Sequence, residues 1–318
     1  MINMKFRTEI PVQPSNLKVL HSDKIMMKGS CFAENMASKF MNAGFSIDLN
    51  PFGIAYNPLS LSHNLNRLLD NKPYTKDELF KDKDIYHSFS HHSRFSGTDP
   101  NEVLTKINSR LVLSSTFLRT TNLLIITFGT AYVYRLQSNG GVVSNCHKIP
   151  AKFFSYKCLT IEEITREWND LIVRLQKINP SLKILFTVSP IRHWKDGAHE
   201  NQLSKAILLL SIDELLRNHS FCFYFPAYEI LLDDLRDYRF YSEDMLHPSS
   251  QAIDYVWGKF SETYFDNETI KKAYEFEKIQ KSLNHIPLQP ESEAYRQFKE
   301  RMWRTTSMEE MQHATVET

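Results

Sequence analysis

Residues 24–45, KIMMKGSCFAENMASKFMNAGF, decide the architecture. Residues 24–27 form a short apolar run, and from Cys31 onward Phe32, Met36 and Phe40 recur on one helical stripe that Gly44 brings to an end. A strand passed straight into a helix is the unit from which covered parallel sheets are built. Gly29 lets the backbone turn sharply out of the strand, and Ser30 is a natural N-cap. Cys31 then falls in the first helical turn, where the helix dipole favours a thiolate, the nucleophilic form of cysteine. The same residues also allow a plainer reading in which Ser30 caps and Cys31 packs, because free cysteine is often a small buried hydrophobe.

Outward from this unit, short apolar runs alternate with helical periodicity. Strands are predicted at 45–49, 122–128, 182–189 and 221–225. Asn57 and Pro58 open a second helix whose Leu61, Leu65 and Leu68 share a face. Residues 59–121 are too long for one crossover and read as a mostly helical insertion. Residues 132–148 read as a β-hairpin turning at Asn139-Gly140, where glycine supplies a positive φ. Further helices are predicted at 161–178, 201–217, 227–236 and 248–264, the last with Pro248 in its first position. The expected fold is α/β: a flavodoxin-like three-layer sandwich with a central parallel sheet of about five strands, helical and β-hairpin insertions and a C-terminal helical appendage. The expected divisions are an N-terminal extension at 1–23, an α/β domain at 24–265 and the appendage with a polar tail at 266–318.

The 318 residues are 42% hydrophobic, enough for a large core, and a formal net charge of +1 gives no field to collect nucleic acid. No window approaches the roughly 18 apolar residues of a membrane span, and the first residues lack the apolar core of a signal peptide, so a soluble, cytoplasmic protein is expected. Cysteines at 31, 146, 158 and 222 include no C-x-x-C pair, which argues against structural zinc and a disulfide framework. Cys158 and Cys222, among bulky neighbours, read as packing residues.

A nucleophile needs a base, and the base an orienting partner. Pro248 keeps the preceding residue out of helical geometry, so His247 is expected on a loop at a helix mouth, with Asp244 folding back onto its ring. The D-x-x-H spacing occurs three times, at Asp84/His87, Asp196/His199 and Asp244/His247; only the third precedes Pro and a final sheet-covering helix. Arg192 and His193 follow a predicted strand and are candidates to bind an anionic or sugar-like group at the sheet rim. His147, beside Cys146, is a candidate on the same footing. His87, His91 and His92 lack a nearby acidic or cysteine ligand, so no metal is expected.

These words resemble a known family. GSCFA at 29–33, ITFGTAYVY at 126–134, NCHK at 145–148 and SPIRH at 189–193 are similar to the GSCFA family, placed within the SGNH or GDSL hydrolase clan, and Asp-x-x-His-Pro at 244–248 is similar to that clan's last signature. The resemblance covers roughly 24–265 and implies an SGNH-hydrolase-like fold. Set against the clan's Gly-Asp-Ser-Leu block, Gly29 takes the glycine, Ser30 the aspartate and Cys31 the nucleophile; a frame moved by one residue restores Ser30. The clan's oxyanion donors imply a role for Gly53. The block expected to read Gly-x-Asn-Asp is Gly129-Thr130-Ala131-Tyr132 here, leaving Thr130 or Asn145 as substitutes for the missing asparagine. The implied activity is hydrolysis or transfer of small acyl groups on ester or thioester substrates, O-acylated carbohydrate or lipid among them, by a Cys (or Ser)-His-Asp triad without a cofactor. Two other classes stay open: a ligand-binding module that lost its chemistry, and a redox-sensing thiol protein.

Overall fold

The computed structural model describes residues 7–12 and 15–283, together with Glu293 and Gln297. The strands are β1 (Lys24–Lys28), β2 (Ser46–Leu49), β3 (Phe80–Asp82), β4 (Ile85–His87), β5 (Leu123–Phe128), β6 (Tyr132–Leu136), β7 (Val142–Val143), β8 (Phe154–Cys158), β9 (Lys183–Val188) and β10 (Cys222–Tyr224). The helices are α1 (Cys31–Asn42), α2 (Pro58–Asp70), α3 (Pro100–Arg119), α4 (Ile161–Ile178), α5 (Gly197–Asn218), the one-turn α6 (Ala227–Glu229), α7 (Ser250–Tyr264) and α8 (Asn267–Leu283).

The central sheet has the order β10-β9-β5-β1-β2 and every pairing is parallel. Side chains alternate between two apolar layers, as the period of a strand requires. Met26, Leu124, Ile126, Ile184 and Phe186 enter the layer under α2, α3, α4 and α5, whereas Ile25, Met27, Leu123, Ile125 and Leu185 enter the layer under α1, α7 and α8. A sheet buried on both faces explains why its strands read as continuous apolar runs rather than alternating ones. Phe40 of α1 meets Phe45, Trp257 and Phe260 edge-on at 4.8–5.2 Å between ring centroids, joining the first helix to α7.

The chain winds outward from β1 to β2 and then returns to β5 on the other side of β1. The crevice of an open α/β sheet lies at such a reversal, beyond the carboxyl ends of the strands. Gly29-Ser30-Cys31 leaves β1 at one lip, and Gly129-Thr130 leaves β5 at the other.

Several local expectations are corrected. The 59–121 insertion is helical in α2 and α3 but carries a small hairpin, β3–β4, between them. The second insertion is a three-stranded antiparallel sheet, β7-β6-β8, rather than a hairpin alone. Its turn takes positive φ at Gly140 only, closed by Gly140 N–H donating to Leu136 O at 2.8 Å. Pro248 lies before the α7 cap and not in its first turn, because the Ser249 hydroxyl accepts from Ala252 N–H at 3.3 Å and the helix starts at Ser250. The expected C-terminal appendage begins as α8; its continuation beyond 283 lies outside the described residues apart from Glu293 and Gln297.

Candidate active site

The turn at Gly29 is set by steric necessity. Its φ is +153°, and a Cβ there would stand 2.6 Å from Thr127 Cβ and 2.7 Å from Thr127 O on the neighbouring strand. Ser30, 2% exposed, is consumed by structure: its Oγ accepts the Phe32 N–H at 3.3 Å, capping α1, and its hydroxyl donates to Ser189 Oγ at 3.2 Å. Cys31 is only partly buried and lines a cavity of about 670 Å³ with His247 and His193.

The Asp244–His247 loop is locally self-contained. Asp244 Oδ1 accepts backbone N–H groups of Leu246 at 3.0 Å and His247 at 2.9 Å, while Oδ2 accepts from His247 Nδ1 at 2.5 Å. Met245 takes the left-handed conformation, φ +60°, that folds the carboxylate back on its own loop. The two backbone N–H donors, then the imidazole, hold the Asp244 carboxyl down to about 2, so it stays ionised at any working pH. With Nδ1 engaged, Nε2 is the nitrogen that His247 offers to the cavity.

Cys31 departs from the expectation of a helix-activated thiolate. Burial pushes its thiol up; the backbone N–H groups of Cys31 and Phe32 pull the other way, and Glu34 and Asp244 add negative charge that raises it further. Desolvation outweighs the helix terminus, so the group rests as a thiol.

The expected oxyanion donors do not all face the site. Gly53 N–H donates to Asn50 O at 2.7 Å, and Gly53 is absent from the cavity lining. Gly129 and Thr130 N–H groups both donate to Tyr56 O, at 2.7 and 3.0 Å. Thr130 lines the cavity, but its hydroxyl pairs with Ser204 Oγ at 3.1 Å and accepts Tyr132 N–H at 3.1 Å. Asn145 lines the cavity with its Oδ1 held by His147 N–H at 2.9 Å. Arg192 and His193 also line it. His147 is a support, not a wall: Nε2 meets Ser88 O at 2.9 Å and Nδ1 meets Ser93 Oγ at 3.2 Å. His87 and His91 are likewise tied to serines, at Ser96 and Ser88, and His92 lines the cavity.

Two groups of site residues escaped the sequence reading. One face of β6 and β8 presents Tyr132, Tyr134 and Tyr156 to the cavity; Tyr156 stacks on Tyr132 at 4.9 Å and meets Tyr134 at a tilt at 4.3 Å, and Lys195 Nζ stands over Tyr134 and Tyr156. Tyr156 donates to the Asp196 carboxylate at 2.8 Å and Tyr132 to Glu200 at 2.7 Å, joining this wall to the start of α5. The second group is a polar stripe at i, i+3 and i+4 on α5. Asn201 Oδ1 accepts His193 N–H at 3.0 Å, Ser204 Oγ accepts Ala131 N–H at 2.8 Å, and the fully buried Lys205 Nζ donates to Gly129 O and Ser189 O, each at 2.6 Å. One helix face thereby holds together the loops after β5 and β9. The signal was present in ENQLSK, where three polar residues occupy one helical face.

Comparison with curated proteins finds no match. Among solved structures, a family 3 carbohydrate esterase from Clostridium thermocellum is 11% identical, with 80% of this chain and 98% of that one covered and a TM-score of 0.37. A carbohydrate esterase family 3 structure from Talaromyces cellulolyticus is 8% identical, with 80% and 99% covered and a TM-score of 0.34. The GSCFA family matches residues 24–260, and the C-terminal domain of the GSCFA domain protein matches 276–310. With most of its length matched, the chain belongs to the GSCFA family.

Proposed function

We propose that this protein is an acyl-ester or thioester hydrolase, able to pass its acyl group to an alcohol as well as to water, with Cys31 as nucleophile. One observation carries the reading: an Asp244-oriented imidazole and Cys31 line the same cavity, while the Ser30 hydroxyl, which borders that cavity too, is spent on the helix cap and on Ser189. His247 Nε2 takes the Cys31 proton as the sulfur–carbon bond forms and the carbonyl electrons move to oxygen. Collapse expels the alcohol, which takes that proton back, and water activated by His247 then cleaves the thioester. The tyrosine wall and Arg192 suit an O-acylated sugar as substrate.

Intact-mass measurement during turnover of an aryl acetate tests this: the expected adduct is a single acetyl group, mapped to Cys31 and missing in Cys31→Ala. Labelling at Ser30, or none with hydrolysis persisting, overturns it. A binding module without turnover is the second reading, favoured by the occupied N–H groups of Gly53 and Gly129; it requires no acetyl release above buffer.

The raised thiol favours an esterase nucleophile that His247 deprotonates over a redox sensor, whose thiolate is populated through a depressed pKa. The folded value lies above the ordinary thiol value of 9.0, so the thiolate fraction at neutral pH is smaller than that of a free cysteine and grows as pH rises through the alkaline range. Iodoacetamide alkylation of Cys31, followed by peptide mass, is expected to climb with pH and show no plateau below pH 8. A plateau near neutrality would support the sensor instead.

A further inference from the structure

The reading above leaves an oxyanion without its usual donors. The amides of Gly53, Gly129 and Thr130 are bonded to backbone carbonyls, and the position where the clan carries asparagine is Ala131, fully buried. The nucleophile's own N–H remains, at the start of α1. A second donor has to come from a side chain that reaches the mouth of β5.

We infer that the imidazole of His193, delivered from the adjacent strand β9, replaces the missing asparagine as the side-chain donor to the oxyanion formed on the substrate carbonyl. This rests on the proposed acyl chemistry at Cys31. Strands β5 and β9 pair along their whole length, from Leu123 with Lys183 to Phe128 with Val188, so the loops that follow them leave the sheet side by side. His193 Nε2 lies 3.2 Å from where a Cβ on Gly129 would be, so the glycine makes room for the ring that a side chain there would displace. Its backbone is clamped by Asn201 at 3.0 Å, and its ring stands edge-on to Tyr56 at 5.2 Å. Neither ring nitrogen has a hydrogen-bond partner among the described residues, although His193 lines the cavity with Cys31 and His247. A polar ring held between Tyr56 and Gly129 yet unpaired is poised for a ligand.

Its protonation state fits. Burial first, then electrostatic repulsion from Lys205 and His247, pushes His193 down to about 4, so above that pH it is a neutral imidazole and donates through one N–H. Asn145 is the rival donor, but it comes from the loop after β7, outside the central sheet.

The test compares His193→Ala, His193→Gln and Asn145→Ala in full-length protein, by aryl acetate turnover and by the rate of Cys31 alkylation. Losing one oxyanion donor costs about 10²- to 10³-fold in kcat. His193→Ala is expected to lose that much in kcat with KM changed less than threefold, and His193→Gln, whose Nε2 can occupy a similar place, to recover at least tenfold. Alkylation of Cys31 at pH 8 should stay within twofold in all variants, since it uses the thiol and not the oxyanion donors. Asn145→Ala, at the cavity wall, is expected to lose at least tenfold less in kcat than His193→Ala. Loss of turnover in Asn145→Ala with His193→Ala unaffected would overturn the inference, as would a parallel fall in turnover and alkylation on His193→Ala, which marks a structural role. An inactive wild type would sink the acyl reading itself, whereas an active wild type with active His193→Ala sinks the donor assignment alone.

Discussion

Cys31→Ala is expected to lower acyl-ester turnover by roughly 10⁴-fold or more, as loss of a nucleophile from a cooperating unit does, while Ser30→Ala keeps it within about tenfold. The contrast follows from where the two side chains are spent. The Ser30 hydroxyl caps α1 and bonds Ser189, so its removal is a stability effect of about 1 kcal/mol, read by chemical denaturation. Among the described residues the Cys31 side chain makes no such bond; it lines the cavity and packs in part against the layer under α1. His247→Ala should match Cys31→Ala, and the double variant should be no slower than either, because base and nucleophile act in one step. If Ser30→Ala proves the inactive variant, the alternative sequence frame is the right one and the cap is incidental.

What the sequence made readable follows from how local each determinant is. The three inner sheet strands, β1, β5 and β9, are buried on both faces and announce themselves as apolar runs; Gly29-Ser30 and Asp244-x-x-His247-Pro248 encode turns through their own backbone chemistry. β8 escaped notice because, of FSYKC, Phe154 alone is buried while residues 155–157 are exposed, leaving no apolar run. Pro248 misled because Ser249, a better cap, follows it and makes Ser250 the first helical residue. The fate of the Gly53 and Gly129 amides was unreadable, since Tyr56 O, which claims the second, lies 73 residues away and is positioned by the whole sheet. The thiol moved opposite to the dipole argument because burial, which a sequence does not state, is the larger effect. Lys205 shows the same limit: a lysine in a helix reads as surface, yet two carbonyls from the loops after β5 and β9 draw it inside, and burial pushes it down to about 7.

Gly29→Ala is expected to destabilise the protein by about 4 kcal/mol or more and to abolish turnover in whatever fraction folds. Two costs act at the same atom. At φ +153° an L side chain occupies a region left almost entirely to glycine, a strain of about 1–3 kcal/mol. The new methyl also overlaps Thr127 O and Cβ, which belong to the central strand β5 and cannot move without breaking its register with β1. Overpacking of a rigid core adds about 1–3 kcal/mol. For a domain of this size, thermal unfolding should fall by on the order of 10 °C. Because α1 begins two residues later, relief of the clash must displace the cap and the sulfur together. A Gly29→Ala protein that unfolds within about 2 °C of wild type and keeps its activity would mean that β1 and β5 are not packed as closely at this turn as the close approach to Thr127 requires.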